Sequence, residues 1–436
     1  MIPSRHILRT EARSVQQSTL TLIILGITIV VYAIPAVPLS VTTMFSLCAF
    51  ALTGIISFSE AFSGFGNTAT LLVAGMMVIG GAFFSTGLAD RLGARLEKYS
   101  TRSERTFMLL IMLFAGAMSV LFNAAMVVLL FIPIIDSAVE ASGGRLKRKN
   151  LYFPLSIAAT YANSILTLGA SSTMVAIGFY TAAGYDTPSI FAMTGVCLPA
   201  VLAVAGAYWL FGMKLQNRVF DFEERPLAAV SGKRPDAAAQ SRSKQRITLI
   251  IIAASVAGML FNINYAACAM LAVAALILTH CVSEREAFKS VNLSTLVLVA
   301  GSLGISAGVQ SSGAGEVLSN VLVSHLGALA SSPYAMSVVL LVVTAVVSNF
   351  MSDGGAAAIV SPLALAMAQS NGWNALPLII AVAAGAKSAI ATPLSVVTMT
   401  MLQGAGYRFR DYIRVAGPFN VLYALVSCVM LKIVFF

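Results

Sequence analysis

Apolar runs about as long as one helix needs to cross a bilayer (~20 residues) recur along the whole chain, and they leave one kind of fold open. Inside hydrocarbon every backbone N–H and C=O must be bonded within the protein, so such runs specify an all-α polytopic membrane protein. The composition agrees, with 58% of 436 residues hydrophobic and only 10% charged. The formal charge of +10 would point to nucleic acid in a soluble chain. Here the loops between spans account for it, and no nucleic-acid partner is expected. No A-x-A-like cleavage site follows the first apolar run, so a removable leader is not expected. Cys48, Cys197, Cys268 and Cys428 lie inside apolar runs and Cys281 ends one. Without a CxxC or Cys/His spacing they read as small core residues.

Two of the runs carry matching interruptions. SVLFNAAMVVLLFIPI (Ser119 to Ile134) and SNFMSDGGAAAIVSPL (Ser348 to Leu363) each break an apolar run with polar and small residues, then reach a proline, Pro133 or Pro362, ten residues past Asn123 or Ser352. A second interrupted run follows each: TLGASSTM (Thr167 to Met174) and TPLSVVTM (Thr392 to Met399). Further matches pair STGLADRL at Ser85 with SSGAGEVL at Ser311, and GYDT at Gly184 with GYRF at Gly406, at offsets between 222 and 229 residues. The chain therefore reads as two copies of one membrane unit.

Residues 1–18 form a polar N-terminal tail and 19–214 the first repeat. Its spans are expected near Thr19 to Val37, Leu39 to Ile56 and Thr68 to Leu88. A basic amphipathic segment, Ala89 to Arg105, suits the interface. A re-entrant hairpin (106–139), a broken helix (151–180) and a span near Ile190 to Met213 complete the unit. The charged, Pro- and Ser-rich stretch 215–246 reads as a cytoplasmic linker. The second repeat, 247–436, has spans near Ile247 to Ile263, Ala266 to Val282 and Ser294 to Gln310. A lateral segment (Ser311 to Gly327), a hairpin (334–370), a broken helix (376–401) and a last span from Tyr412 to Phe435 follow.

Basic residues crowd into Arg91–Arg105, Arg145–Lys149, Lys214–Arg246, Arg285–Lys289 and Arg408–Arg414, whereas the loops around Glu60, Asp186, Asn264 and Asn371 carry none. The positive-inside rule makes the first set cytoplasmic. About five crossings per half then invert one unit relative to the other, the design of secondary transporters. The N-terminal tail falls outside on this count, against the pull of Arg5, Arg9 and Arg13.

A helix interrupted at mid-depth presents free N–H groups and a positive dipole end to an anion, while the exposed carbonyls and nearby hydroxyls suit a small cation. Ser171, Ser172, Thr173, Thr392, Ser395 and Thr398 can supply hydroxyls, and Asn123, Ser352 and Asp353 stand at the hairpin tips. Ser and Thr in membrane helices also bond to their own backbone, the plainer reading of any one of them. Asp136 and Glu140 read as solvated or paired with the basic loop, and Asn163 and Asn349 as helix–helix hydrogen-bonding groups. Gly64, Gly66, Gly80 and Gly81 favour close packing. The histidines lie outside the broken segments.

At these residues the chain resembles a known family. FMSDGGAAAIVSPLALA is similar to the hairpin signature of the divalent anion/sodium symporter (DASS) family of the ion transporter superfamily. TLGASSTM and TPLSVVTM resemble its T-L-I-G-T-x-x-N and T-P-I-G-T-P-T-N segments, and GYRFRDYIRVAGPFN (Gly406 to Asn420) its C-terminal context. The resemblance implies a homodimeric, elevator-type carrier of dicarboxylates, tricarboxylates or sulfate in a bacterial inner (plasma) membrane. It implies a small anionic substrate and, in place of an organic cofactor, a coupling ion: sodium near Asn123, Ala170 and Ser352, or a proton.

The family's tips read Ser-Asn-Thr or Ser-Asn-Asn. Here Asn123, Ala124 and Ala125 stand at the first tip and Ser352, Asp353 and Gly354 at the second, with Met174 and Met399 in place of the broken-helix asparagines. Ala and Met offer no side-chain oxygen. Lys387 lies 12 positions into the second broken span, about 18 Å along at ~1.5 Å per residue, too deep for easy snorkelling. By the family's arrangement Asp353 is its nearest partner. The pair could replace a sodium ion and make transport sodium-independent, exchange protons, or be a static ion pair. Two other functions stand beside the carrier. One is a sodium/proton antiporter or arsenite-type exporter of the same superfamily. The other is an intramembrane enzyme, disfavoured because no HExxH, Gly-x-Gly-Asp or Ser/His pair appears.

Overall fold

The computed structural model describes residues 5–32, 34, 37–88, 103–227, 242–261, 263–314, 317 and 332–436, with no strand among them. The basic segment at 89–102, the middle of the linker (228–241) and most of the lateral segment after Ala314 lie outside the described residues. The helices are α1 (Arg5–Tyr32), α2 (Leu39–Leu52), α3 (Phe58–Phe62), α4 (Thr68–Ser85), α5 (Glu104–Ser119), α6 (Ala124–Ala141), α7 (Arg148–Ala162), α8 (Ser171–Ala182), α9 (Thr194–Ala207) and α10 (Met213–Val219). They continue as α11 (Arg242–Leu260), α12 (Tyr265–Leu278), α13 (Glu284–Ser290), α14 (Leu293–Ser311), α15 (Pro333–Ser348), α16 (Asp353–Asn371), α17 (Ala375–Lys387), α18 (Val397–Met401), α19 (Phe409–Asp411) and α20 (Gly417–Phe435).

Among the described residues five helical stretches are long and apolar enough to cross a membrane: Phe58–Ser85, Ala124–Ala141, Thr194–Val219, Leu293–Ser311 and Phe409–Phe435. Shorter apolar helices accompany them, including Leu39–Leu52, Tyr265–Leu278, Pro333–Ser348 and Ala375–Lys387. The chain is an all-α, multi-pass membrane protein. The first helix starts at Arg5, so the stretch read as a polar tail shares one helix with the first span. The second span stops at Leu52 rather than Ile56, and Gly54 turns the chain at a φ of 71°.

Local chemistry sets the helix starts. Ser103 accepts from the Thr106 N–H, Asn292 from Thr295, Ser332 from Ala335 ahead of Pro333, and Asn374 from Leu376. Each bonds one of the N–H groups that a helix start leaves free. Ser57 with Glu60 and Ser283 with Glu286 close reciprocal capping boxes on α3 and α13. The hairpins α5–α6 and α15–α16 turn where Asn123 and Ser352 offer such caps, whereas in the broken pairs α7–α8 and α17–α18 the second helix starts after Ala170 or Val396 without a side-chain cap.

The halves interlock. Helix α16 of the second hairpin packs on α8 of the first broken pair, while α18 touches α6 and α7. Closing helices α9 and α20 pack together, as do α4 and α12. Three of the basic stretches meet: Lys149 Nζ donates to the Phe220 and Phe222 carbonyls at 3.2 Å, Tyr407 Oη donates to the Lys149 carbonyl at 2.6 Å, and the Arg225 N–H reaches the Ala405 carbonyl at 3.2 Å. Asp136 and Glu140 pair there with Arg148, at 2.7 and 3.1 Å, as the sequence indicated.

Small residues let helices approach closely, as expected at membrane interfaces. A Cβ on Gly64 would stand 2.0 Å from the Ala300 carbonyl oxygen of α14, and one on Gly81 2.0 Å from Ser290 Oγ. Gly66 is different from the close-packed role expected of it, since nothing lies within 4 Å. Gly64→Ala should therefore cost about 1–3 kcal/mol through forced separation of backbones, while Gly66→Ala stays within ~0.5 kcal/mol. Thermal unfolding of the two variants in detergent checks the contrast; equal melting temperatures would remove the close approach as a constraint.

Candidate functional site at the crossed breaks

Every break frees carbonyls from the helix before it and N–H groups on the helix after it, and three asparagines take up much of this loss. Asn163, just past α7, donates through Nδ2 to the Ser119 and Phe122 carbonyls at the end of α5, at 2.8 and 3.0 Å. Asn349, just past α15, does the converse: its Nδ2 donates to the Ala345 and Ser388 carbonyls at 2.7 and 2.6 Å, and its Oδ1 accepts from the Ala391 N–H at 3.1 Å. In the first half the broken helix ties down the hairpin, and in the second the hairpin ties down the broken helix. Asn420 adds a bond to the Ser388 carbonyl at 3.0 Å while accepting from Tyr161 Oη at 2.9 Å, which links the halves. Gly169 admits the first break to the hairpin: a Cβ there would lie 3.0 Å from the Val120 carbonyl oxygen.

The breaks span 163–170 and 388–396, so Ser171, Ser172 and Thr173 form the first turn of α8 rather than the break itself. Ser172 is buried and directs Oγ at Asp353 Oδ2, 3.4 Å away. Lys387 Nζ reaches the same oxygen at 2.6 Å, with its residue 4% exposed. Asp353 is the first residue of α16 and Lys387 the last of α17, so each charge sits at the helix end whose dipole favours it. The Gly354 N–H also donates to Asp353 Oδ1 at 2.8 Å. The structure thus brings Ser172, Asp353 and Lys387 together from both halves.

The other candidates divide. Thr173 Oγ1 and Ser395 Oγ are buried without a hydrogen-bond partner, and Ser171 is half-buried at the head of α8. Such buried, unpaired hydroxyls are what a polar solute can satisfy. Asn123 is exposed and caps α6 through the Ala125 N–H at 2.9 Å, and Ser352 caps α16 through Gly355 at 3.1 Å. Thr398 and Thr392, offered by the sequence as ligand hydroxyls, each have a protein partner. Thr398 Oγ1 lies 2.7 Å from Thr160 Oγ1 across the halves, and Thr392 bonds the Asn349 carbonyl. Ala170, buried, gives its carbonyl to the Met174 N–H at 3.0 Å. Thr160 and Asn420 were not legible as site residues, because their partners are remote in sequence. A cavity of about 320 Å³ opens beside the first broken pair, lined by Thr68, Leu72, Thr167, Met174 and Asn264 among others.

The sequence matches the citrate transporter (CitMHS) family over residues 20–435. The chain belongs to that family. Within the curated proteins it is similar to the uncharacterized transporter YfbS of Escherichia coli, 28% identical over 44% of this chain and 31% of YfbS. It is also similar to the sodium/sulfate cotransporter 1 of Chlamydomonas reinhardtii, 25% identical over 44% of this chain and 23% of that protein. The chain spans about a third or less of the length of these relatives. The solved YdaH transporter of Alcanivorax borkumensis shares the fold, with a TM-score of 0.64 at 16% identity over 97% of this chain and 98% of that one. Family and relatives are transporters, so this member of the citrate transporter family is not an enzyme.

Removing the Asn163 side chain takes the side-chain donor from the Ser119 and Phe122 carbonyls; removing that of Asn349 leaves the Ala391 N–H without its acceptor, while the Ser388 and Ala345 carbonyls keep Asn420 Nδ2 and Ser348 Oγ. A buried group left unbonded costs about 1–3 kcal/mol. Asn163→Ala and Asn349→Ala should each lower the melting temperature more than Asn123→Ala, whose side chain makes one exposed cap. Melting curves of the three variants test that order.

Proposed function

We propose that the protein is a secondary active carrier of small anions, of the di- or tricarboxylate or sulfate class, in a bacterial inner membrane. The observation that carries this reading is the crossed pair of breaks. Helices α8 and α16, one from each half, turn their N-terminal ends toward a shared group of polar side chains within an apolar protein. Such ends attract an anion through free N–H groups and the helix dipole. The family's citrate description and the relatives named sodium/sulfate cotransporters support the same substrate class.

The two halves, 19–214 and 247–436, act as inverted repeats. The hairpins and broken helices form the moving unit of an elevator-type cycle, and α4 and α12 belong to the static frame, which a homodimer would share. The interlocked packing of α16 on α8 and of α18 on α6 and α7 supports one moving body, because no break can shift without carrying the other half's hairpin. The meeting of three basic stretches supports a cytoplasmic placement of all three.

Purified protein in liposomes is expected to take up labelled citrate, succinate or sulfate, and Ser172→Ala with Ser395→Ala to reduce kcat/KM by about 10-fold, or ~1.4 kcal/mol. Wild-type liposomes that take up none of the three overturn the anion reading. The buried Asp353–Lys387 pair favours one second reading, a cation/proton antiporter or arsenite-type exporter. It would show in the same liposomes as cation-driven pH changes, or arsenite movement, without organic anion uptake.

A further inference from the structure

Sodium is the coupling ion that the relatives' names raise, and the carbonyl oxygens it would draw on at these breaks have protein donors of their own. A sodium ion is held by several oxygen lone pairs at once, and in a broken helix those are chiefly freed carbonyls. Here four of those carbonyls already accept from side-chain donors. Ser388 receives both Asn349 Nδ2 and Asn420 Nδ2, Asn349 receives Thr392 Oγ1, and Ser119 and Phe122 receive Asn163 Nδ2. The tip oxygens Asn123 Oδ1 and Ser352 Oγ are turned to their own helix starts.

What stands among them instead is an ammonium. The offsets between the halves set Asp353 opposite Ala124, as Ser352 lies 229 residues from Asn123, and Lys387 opposite Ala162, as Met399 lies 225 from Met174. Both alanines are buried. One half thus carries both charges and the other neither, so the two behave as a unit of no net charge. A sodium ion beside this pair would set two cations against one carboxylate in a medium that screens poorly. We propose that Lys387 is the site's resident cation: its ammonium, neutralised by Asp353 and fixed at the end of α17, does the work of a coupling sodium ion, so that anion transport by this chain is sodium-independent. Asp353 is a positioning residue in this scheme, and Ser172 steadies it from the other half.

The transport part of this inference rests on the carrier reading, whereas sodium binding can be read alone. Melting of the purified full chain is compared in equal concentrations of sodium chloride and choline chloride. Wild type should melt at the same temperature in both, and Lys387→Ala, which leaves Asp353 open to a cation, should melt about 2 °C or more higher in sodium. A sodium-specific rise in the wild type overturns the proposal, as does a folded Lys387→Ala that gains none. Should Lys387→Ala fail to fold, the wild-type comparison decides, backed by uptake. In liposomes wild-type anion uptake should change by less than about twofold when choline replaces sodium, and a fall of about tenfold or more overturns the inference. Uptake driven by an imposed proton gradient also overturns it, because the pair would then be exchanging protons. Absence of any anion uptake, with sodium-indifferent melting, removes the carrier reading and leaves the resident cation standing.

Discussion

An interrupted helix inside an apolar interior exposes backbone groups that water cannot reach, and each one left unbonded costs about as much as a sizeable core substitution. This constraint organises the centre of the molecule. Asn163, Asn349 and Asn420 are each a planar amide able to donate two bonds and accept two, and each is placed within reach of carbonyls that a break sets free. The breaks are therefore held structures. Hydroxyls left unspent there include those of Thr173, Ser388 and Ser395, atoms a solute could use.

Charge follows the same logic. A lysine buried to 4% exposure is tolerable only with a partner, and Asp353 supplies it at 2.6 Å from the neighbouring hairpin. Because the two residues come from successive elements of the second half while Ser172 comes from the first, the pair also joins the halves. Any motion that separated α16 from α17 would leave two bare charges in an apolar surrounding. The ion pair therefore fastens α16 to α17, and Ser172 joins α8 to them.

Two further sets of contacts frame this unit. On one side, Lys149, Phe220, Phe222 and Tyr407 form a cluster in which a cation, backbone carbonyls and aromatic rings bind the start of the linker to the ends of both broken pairs. The Lys149 ammonium stands 5.6 Å from the Phe222 ring centroid. On the other, glycine seams such as Gly64 on Ala300 bring α14 against the α3–α4 corner with no side chain between. The first set ties the linker to the broken pairs by directed bonds, and the second packs neighbouring helices by shape.

Much of the architecture was written locally in the chain. Apolar runs of bilayer length exclude everything but helices, the Asn123 and Ser352 tips with a proline ten residues on mark the hairpins, and the depth of Lys387 in its run demands an acidic partner. Each of these depends on neighbours within a few turns, so sequence alone determined them. It misplaced the edges of the breaks by a few residues, because Ser171–Thr173 can serve a loop or a first turn equally well and only the bond from Met174 to Ala170 chooses. It offered the hydroxyls of Thr392 and Thr398 without the partners they meet. The tertiary structure alone decided which oxygen each polar group meets: Thr398 with Thr160, Asn420 with Ser388, Ser172 with Asp353. Those partners lie 32 to 238 residues apart, and a hydrogen bond selects by distance and direction in space, quantities that order along a chain does not contain.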